Sequence, residues 1–331
     1  MDDALSSLLS DVRPQGAVFD QSVVNPPWSM RFVDGAPLVL LAMLKGDAWL
    51  LPDDGEPIEL RQGDIAILTG SDPYTIADTP TGRPRILVHE GDRCTTSDGA
   101  LVIGDGLPMC GDGPHGPGTG SVLLKGTYEV RGSVSARVLD ALPRTALIPA
   151  CTDTRPALTM VEAELHRDVP GRQVILDRLF DLLLVTGLRE WFDRPEARTP
   201  LWYRAQRDDP DIGQALKLIH ENPAHTWTVA SLADKAGMSR AQFARRFSSA
   251  VGQSPMAYVT EWRICCAADL LARTDDTVDT IARRVGYANA YALSVAFQRT
   301  MSLRPSEHRT RTRTRPGGSL TEAPPPGTGR S

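Results

Sequence analysis

The chain has 331 residues and a formal net charge of −5, and hydrophobic types make up 41% of it. That length accommodates two domains, each with its own core. Five cysteines, odd in number and unpatterned, exclude a disulfide framework, and no signal-like start or long apolar span marks the chain for export or a membrane. The charge is split: residues 1–211 carry twenty Lys and Arg against thirty-two Asp and Glu, whereas residues 212–315 carry fifteen against eight. The basic segment suits phosphate contact, and the acidic part argues against a second nucleic-acid surface.

Between Trp28 and Pro149 the sequence is rich in Gly and Pro and holds short apolar runs at Leu38–Met43, Ala48–Leu51, Ile65–Leu68, Arg85–Val88 and Val122–Leu124. Short strands at regular spacing with turn signals predict a small β-barrel or jelly roll. The segment Glu59-Leu60-Arg61-Gln62-Gly63-Asp64-Ile65-Ala66-Ile67-Leu68, followed by Asp72-Pro73-Tyr74, resembles the strand-turn-strand signature of the cupin fold. With Gly46-Asp47-Ala48-Trp49-Leu50 it looks like the cupin sensor domain that precedes many AraC-type DNA-binding domains. Metal-binding cupins use His ligands on these strands, but Tyr74 stands where the resemblance puts a His, and His89 and His115 are the only others in this part. Cys94, Cys110, Asp112 and His115 fit no standard metal spacing. No metal, cofactor or catalytic residue is therefore expected. A metal-dependent cupin enzyme with an appended DNA-binding domain is the alternative reading, which metal analysis would separate.

The Gly- and Asp-rich stretch from Glu90 to Gly120 reads as an exposed loop, where Cys94 and Cys110 could sense oxidants by forming a disulfide. Acidic neighbours Asp92, Asp98, Asp105 and Asp112 work against this by raising the thiol pKa. Next, Leu158, Val161 and Leu165 mark an amphipathic helix between Pro156 and Asp168. Pro170-Gly171 opens a longer one through Trp191-Phe192, whose apolar residues spread over more than one stripe. Two readings follow, a homodimer helix pair and a helix buried in its own subunit, and the first is preferred. The prolines and charges of 195–211 read as an interdomain linker.

In the last third one pattern occurs twice. Leu232-Ala233, Ala236-Gly237-Met238-Ser239, Phe243 and Phe247 are matched by Ile281-Ala282, Val285-Gly286-Tyr287, Leu293 and Phe297. Each predicts a short helix ended by a left-handed Gly, then a second helix capped by Ser239 or Asn289. This is the helix-turn-helix arrangement, whose second helix can enter a DNA major groove. Ser254-Pro255 starts a long helix without Gly or Pro through Leu271, which would fix the separation of the two units. The sequences SLADKAGMSRAQFARRFSSAVGQSPMAYVTEWRICCAADLL and TIARRVGYANAYALSVAFQRTMSLRPSEHR together resemble the DNA-binding domain of the AraC/XylS family of bacterial transcription regulators. The resemblance spans about Ile212 to Arg309 and implies a helix-turn-helix at either end of a central helix, monomeric on each half-site.

On the first second-helix, Arg240, Ala241, Ala244 and Arg245 are expected opposite the Phe pair. Arg245 is the candidate base reader, because its planar fork can bond guanine O6 and N7 together. Arg240 and Arg246 are assigned to phosphates. On the second unit the outward set is Asn289 at the cap, Tyr291, Ser294, Val295, Gln298 and Arg299. The resemblance implies a polar or basic residue where Val295 stands, which weighs against hydrogen-bond readout by this helix and leaves two readings, a contact of Val295 with a thymine methyl or a helix that mainly grips the backbone.

The sequence thus predicts an all-β, cupin-like sensor and dimerisation domain over 1–194 with following helices. A linker over 195–211, an all-α double helix-turn-helix domain over 212–310 and a disordered tail over 311–331 complete it. The expected partners are a double-stranded DNA operator, a second copy of the chain, an unidentified small-molecule effector and RNA polymerase. The expected location is the bacterial cytoplasm, at the nucleoid when bound.

Overall fold

A computed structural model describes residues 12–14, 20–24, 26–90, 93–101, 120–130, 139–167 and 169–313. Two compact units follow each other in sequence, with the change between Asp208 and Asp209.

The first unit is a sandwich of two six-stranded sheets. One sheet runs β1 (Val12–Pro14), β11 (Ser121–Val130), β4 (Leu38–Lys45), β7 (Ile65–Thr69), β12 (Thr145–Ile148), with β2 (Asp20–Val24) also on β11. The other runs β10 (Cys94–Thr96), β9 (Ile86–Val88), β3 (Ser29–Phe32), β8 (Tyr74–Ala77), β5 (Ala48–Pro52), β6 (Ile58–Leu60). Every apolar run singled out in the sequence lies on one of these strands. Alternation places Val39, Leu41 and Met43 of β4 in the cluster between the sheets, with Met30, Phe32, Leu50, Ile76 and Leu123.

The opposite face of β4 is buried too, because α2 (Arg172–Phe192) covers this sheet, with α1 (Arg155–Leu165) packed against α2. Gly126 on β11 meets Phe180 of α2 so closely that an added Cβ would lie 2.6 Å from its ring. The expected amphipathic face of α1 is present, with Leu158, Val161 and Leu165 all buried. The cupin-like turn is tied by a carboxylate: Asp64 accepts from the Arg61 N–H at 2.8 Å and from the Ala150 N–H at 2.9 Å. An ion pair largely shielded from solvent joins Lys125 and Asp34 in the sandwich, with the Lys125 ammonium 4.6 Å from the Phe32 ring centroid. Tyr74, which replaces the expected His, stacks on Phe32 at 5.0 Å between centroids. Burial and the nearby Asp34 charge push its hydroxyl pKa well up.

Three expectations are corrected. Cys94 is not in an exposed loop: it pairs with Val88 on β10 and is only 8% exposed, since β10 extends the sheet edge over the core. Cys110 lies outside the described residues, as does His115. The stretch 195–211 is not linker throughout, because Leu201–Asp208 forms helix α3 with Trp202 and Ala205 buried and Tyr203 against Phe192 at 5.2 Å. Pro200 and Pro210 stand at the starts of helices rather than breaking them, and Pro195 lies in the turn after α2. Residues 311–313 are not disordered, since the last helix continues to Arg313; the rest of the expected tail, 314–331, lies outside the described residues.

The second unit is helical: α4 (Pro210–Glu221), α5 (Val229–Lys235), α6 (Arg240–Val251), α7 (Pro255–Arg273), α8 (Val278–Arg284), α9 (Ala290–Met301) and α10 (Pro305–Arg313). Asp209 caps α4, accepting from the Ile212 N–H at 3.2 Å, and Pro210 occupies its first turn. Around the second half of α7 a core forms from Ile264, Ala268, Leu271, Ile281, Leu293 and Phe297.

Candidate nucleic-acid interface

The duplicated pattern folds twice into the same geometry. At the end of α5 the Met238 N–H reaches the Ala233 carbonyl at 2.9 Å and the Gly237 N–H reaches Asp234 at 3.1 Å. At the end of α8 the Tyr287 N–H reaches Ala282 at 2.8 Å and the Gly286 N–H reaches Arg283 at 3.2 Å. These are the paired bonds of a Schellman stop, with the glycines at φ 64° and 86°. The following helices are capped alike: Ser239 accepts from the Gln242 N–H at 3.3 Å and Asn289 from the Ala292 N–H at 2.9 Å. Phe243 and Phe247, like Leu293 and Phe297, are wholly buried. With those faces inward, the opposite faces of α6 and α9 point to solvent.

On α6, Arg240, Ala241, Gln242 and Arg245 are exposed, while Ala244 is half-buried and belongs to the flank. Arg240 is three residues before Phe243, on the angular side of the core, and is exposed because it is the first residue of the helix. Arg246 is already engaged. Its Nε and Nη2 grip Asp209 at 2.7 and 2.9 Å, and Nη1 reaches Asp211 at 3.1 Å. The hydrogen bond to Asp209 holds its pKa further above the ordinary value. Gln242, absent from the sequence-based set, sits beside Arg245 on the exposed face; its third place after the capping Ser239 is the signal that marks it.

On α9, Tyr291 and Val295 are the most exposed large apolar side chains among the described residues of this unit, at 78% and 53%, and Gln298 and Arg299 continue that face. Ser294 is half-buried, its hydroxyl donating to the Ala290 carbonyl at 2.7 Å. Of the α8 arginines, Arg283 is paired with Asp279, and Arg284 with Asp276 at 2.6 Å. Between the units, α7 holds nineteen residues without a break, about 28 Å of helix at 1.5 Å per residue.

The family described as Cupin matches residues 3–193, and the one described as Helix-turn-helix domain matches 232–311. An AraC-like transcription regulator of Streptomyces lividans is 32% identical over 316 residues, covering 93% of this chain and 98% of that protein. The chain belongs to the AraC-like family of transcription regulators. The HTH-type transcriptional regulator AlkR of Acinetobacter baylyi is 27% identical over 320 residues, covering 93% of this chain and 99% of its own. Among solved structures, the DNA-binding domain of the global transcriptional factor AdpA in complex with a target DNA is 31% identical. It covers 33% of this chain and 98% of that one, with a TM-score of 0.31. By its two family matches and its full-length relatives, the chain is a DNA-binding transcription regulator with a cupin-like N-terminal domain.

Proposed function

We propose that this AraC-like regulator reads its operator chiefly with α6 and anchors itself with α9. The observation that carries the reading is the pair of identical capped, glycine-stopped helix pairs whose outer faces differ in chemistry. Arg245 is the base reader, with guanine as its target, and Arg240 holds a phosphate. Gln242 joins them, since a carboxamide can bond adenine N6 and N7 together. Tyr291, Val295, Gln298 and Arg299 pack the second helix against the groove, where Val295 suits a thymine methyl. Ala241 lets the backbone of α6 approach the bases. Asn289 caps α9, and Ala244, Ser294 and Arg246 support rather than read.

The N-terminal domain senses a small molecule and pairs the chain with a second copy. The exposed stripe of Ile175, Arg178 and Leu182 on α2 supports that pairing, as it lies opposite the face covering the sheet. A twofold dimer engages two half-sites, each raising the effective concentration at the other. The protein works without turnover in the bacterial cytoplasm, on operators beside which RNA polymerase is the further partner.

Genome-wide footprinting of wild type and Arg245→Ala tests the reading. Wild type is expected to reveal one repeated motif, and the variant to lose discrimination at one base pair by about 1–3 kcal/mol. Identical occupancy and identical motifs for the two proteins rule out Arg245 as a reader.

A further inference from the structure

The two helix-turn-helix units are joined by more than the length of α7. Arg263, midway along that helix, donates from Nε to the Pro223 carbonyl at 2.8 Å and from Nη2 to the His225 carbonyl at 2.6 Å. Both acceptors belong to the loop that delivers the chain to Thr228, the cap of α5 and thus the first residue of the first unit. Trp227 pins the same loop from within, its Nε1 donating to the Asn222 carbonyl at 2.9 Å and its ring lying 4.2 Å from that of His225. The other side of the guanidinium faces the second unit. It lies 5.9 Å from the Tyr287 ring centroid, and a Cβ placed on Gly286 would fall 2.8 Å from Nη2 and 2.9 Å from the Ala224 carbonyl. By contrast, a Cβ on Gly237, the equivalent glycine of the first unit, would meet nothing within 4 Å. The turn of the second unit therefore rests directly on the entry loop of the first, with Arg263 as the shared contact.

We infer that Arg263 and Gly286 form a clamp that sets the angle and separation of α6 and α9, and with them the spacing between the two DNA segments the protein accepts. Arg263 is a positioning residue, acting through the backbone of 223–225 and the turn at 286–287. Its planar fork matters more than its charge: two carbonyls some residues apart are held by two N–H groups in one plane, which an ammonium does not reproduce. The α7 helix alone sets the length between the two units, while the clamp fixes their rotation about it and with it where α6 and α9 lie. The inference rests on the reading that both α6 and α9 engage one operator.

The test uses the full chain and the operator found by footprinting, with base pairs inserted one at a time between the two contacted segments, up to about half a helical turn. For wild type, affinity is expected to fall steeply with each insertion. For Arg263→Lys and Arg263→Met it is expected to start lower on the native operator, by roughly tenfold, and to depend little on spacing. Both variants are expected to bind a fragment carrying only the α6 segment as wild type does, and to keep the far-ultraviolet circular dichroism of wild type, which separates a loosened clamp from a lost fold. Variants that keep the wild-type spacing profile overturn the clamp. So does a wild type that tolerates the insertions, while its sequence preference would leave the operator reading standing. A wild type without any sequence preference overturns both.

Discussion

Arg245 and Arg246 are neighbours on α6, and the rotation of about 100° per residue gives them different work. Arg245 points outward with Gln242, whereas Arg246 turns back to Asp209 and Asp211 at the start of α4 and secures α6 to the unit's first helix. On the proposal above, a basic residue of α6 is available to DNA only where no carboxylate of its own domain holds it, which sets Arg245 apart from Arg246. Within the sandwich, the Lys125–Asp34 pair is the residue-scale feature with the largest energetic stake, since each charge is tolerated only beside the other. Lys125→Met is expected to lower stability by about 3–5 kcal/mol, and adding Asp34→Asn to recover part of that loss. Urea unfolding of the two variants checks it, and a single-variant loss below about 1 kcal/mol refutes the pair's structural role.

Among elements, α10 closes the second unit. Arg309 donates to the Leu271 carbonyl at 3.3 Å and the Asp276 carbonyl at 2.5 Å, and the His308 ring lies 5.5 Å from Phe297, edge to face. Burial holds the His308 imidazole below its ordinary pKa of 6.5, partly offset by a backbone hydrogen bond at Ala268. The unfolded chain therefore takes up a proton before the folded one as pH falls. Stability present above pH 6.5 is lost through the window between that value and the lower folded pKa. Thermal unfolding on both sides of pH 6.5 is expected to show a steeper acid-side fall for wild type than for His308→Gln. Equal slopes for the two proteins would show that the docking of α10 is indifferent to this proton.

At the scale of the molecule, the net charge of −5 conceals an acidic cupin-like domain and a basic DNA-binding domain. The division keeps nonspecific affinity for phosphate in one place and makes it salt-dependent. Among the described residues no helix is long and apolar enough to cross a membrane. The dimer proposed above places α2 at the twofold axis, where Ile175 and Leu182 are 45% and 46% exposed. Replacing both with Glu is expected to give a monomer in sedimentation equilibrium and to abolish the advantage of two half-sites over one. A dimer that survives the double substitution removes α2 from the interface.

The duplicated stops were legible in the sequence because they are local: a glycine with positive φ, a cap three residues from its acceptor and an i, i+4 apolar pair need only a short window. The same holds for the strands of the sandwich, whose apolar runs at Leu38, Ile65 and Val122 are bounded by turn residues. Prolines at 200 and 210 misled, as a helix start and a linker use the same residue, and only burial of Trp202 distinguishes them. Cys94 looked exposed among Gly and Asp, but its pairing with Val88 is a sheet contact that no local pattern encodes. Local sequence thus determined the two domains, the two helix-turn-helix units and the outward place of Arg245. Tertiary structure alone decided that Arg246 is held by Asp209 and that Arg263 joins the Pro223–His225 loop to Gly286. Those contacts close between residues 23 to 40 positions apart, where the meeting of two side chains depends on how whole helices pack.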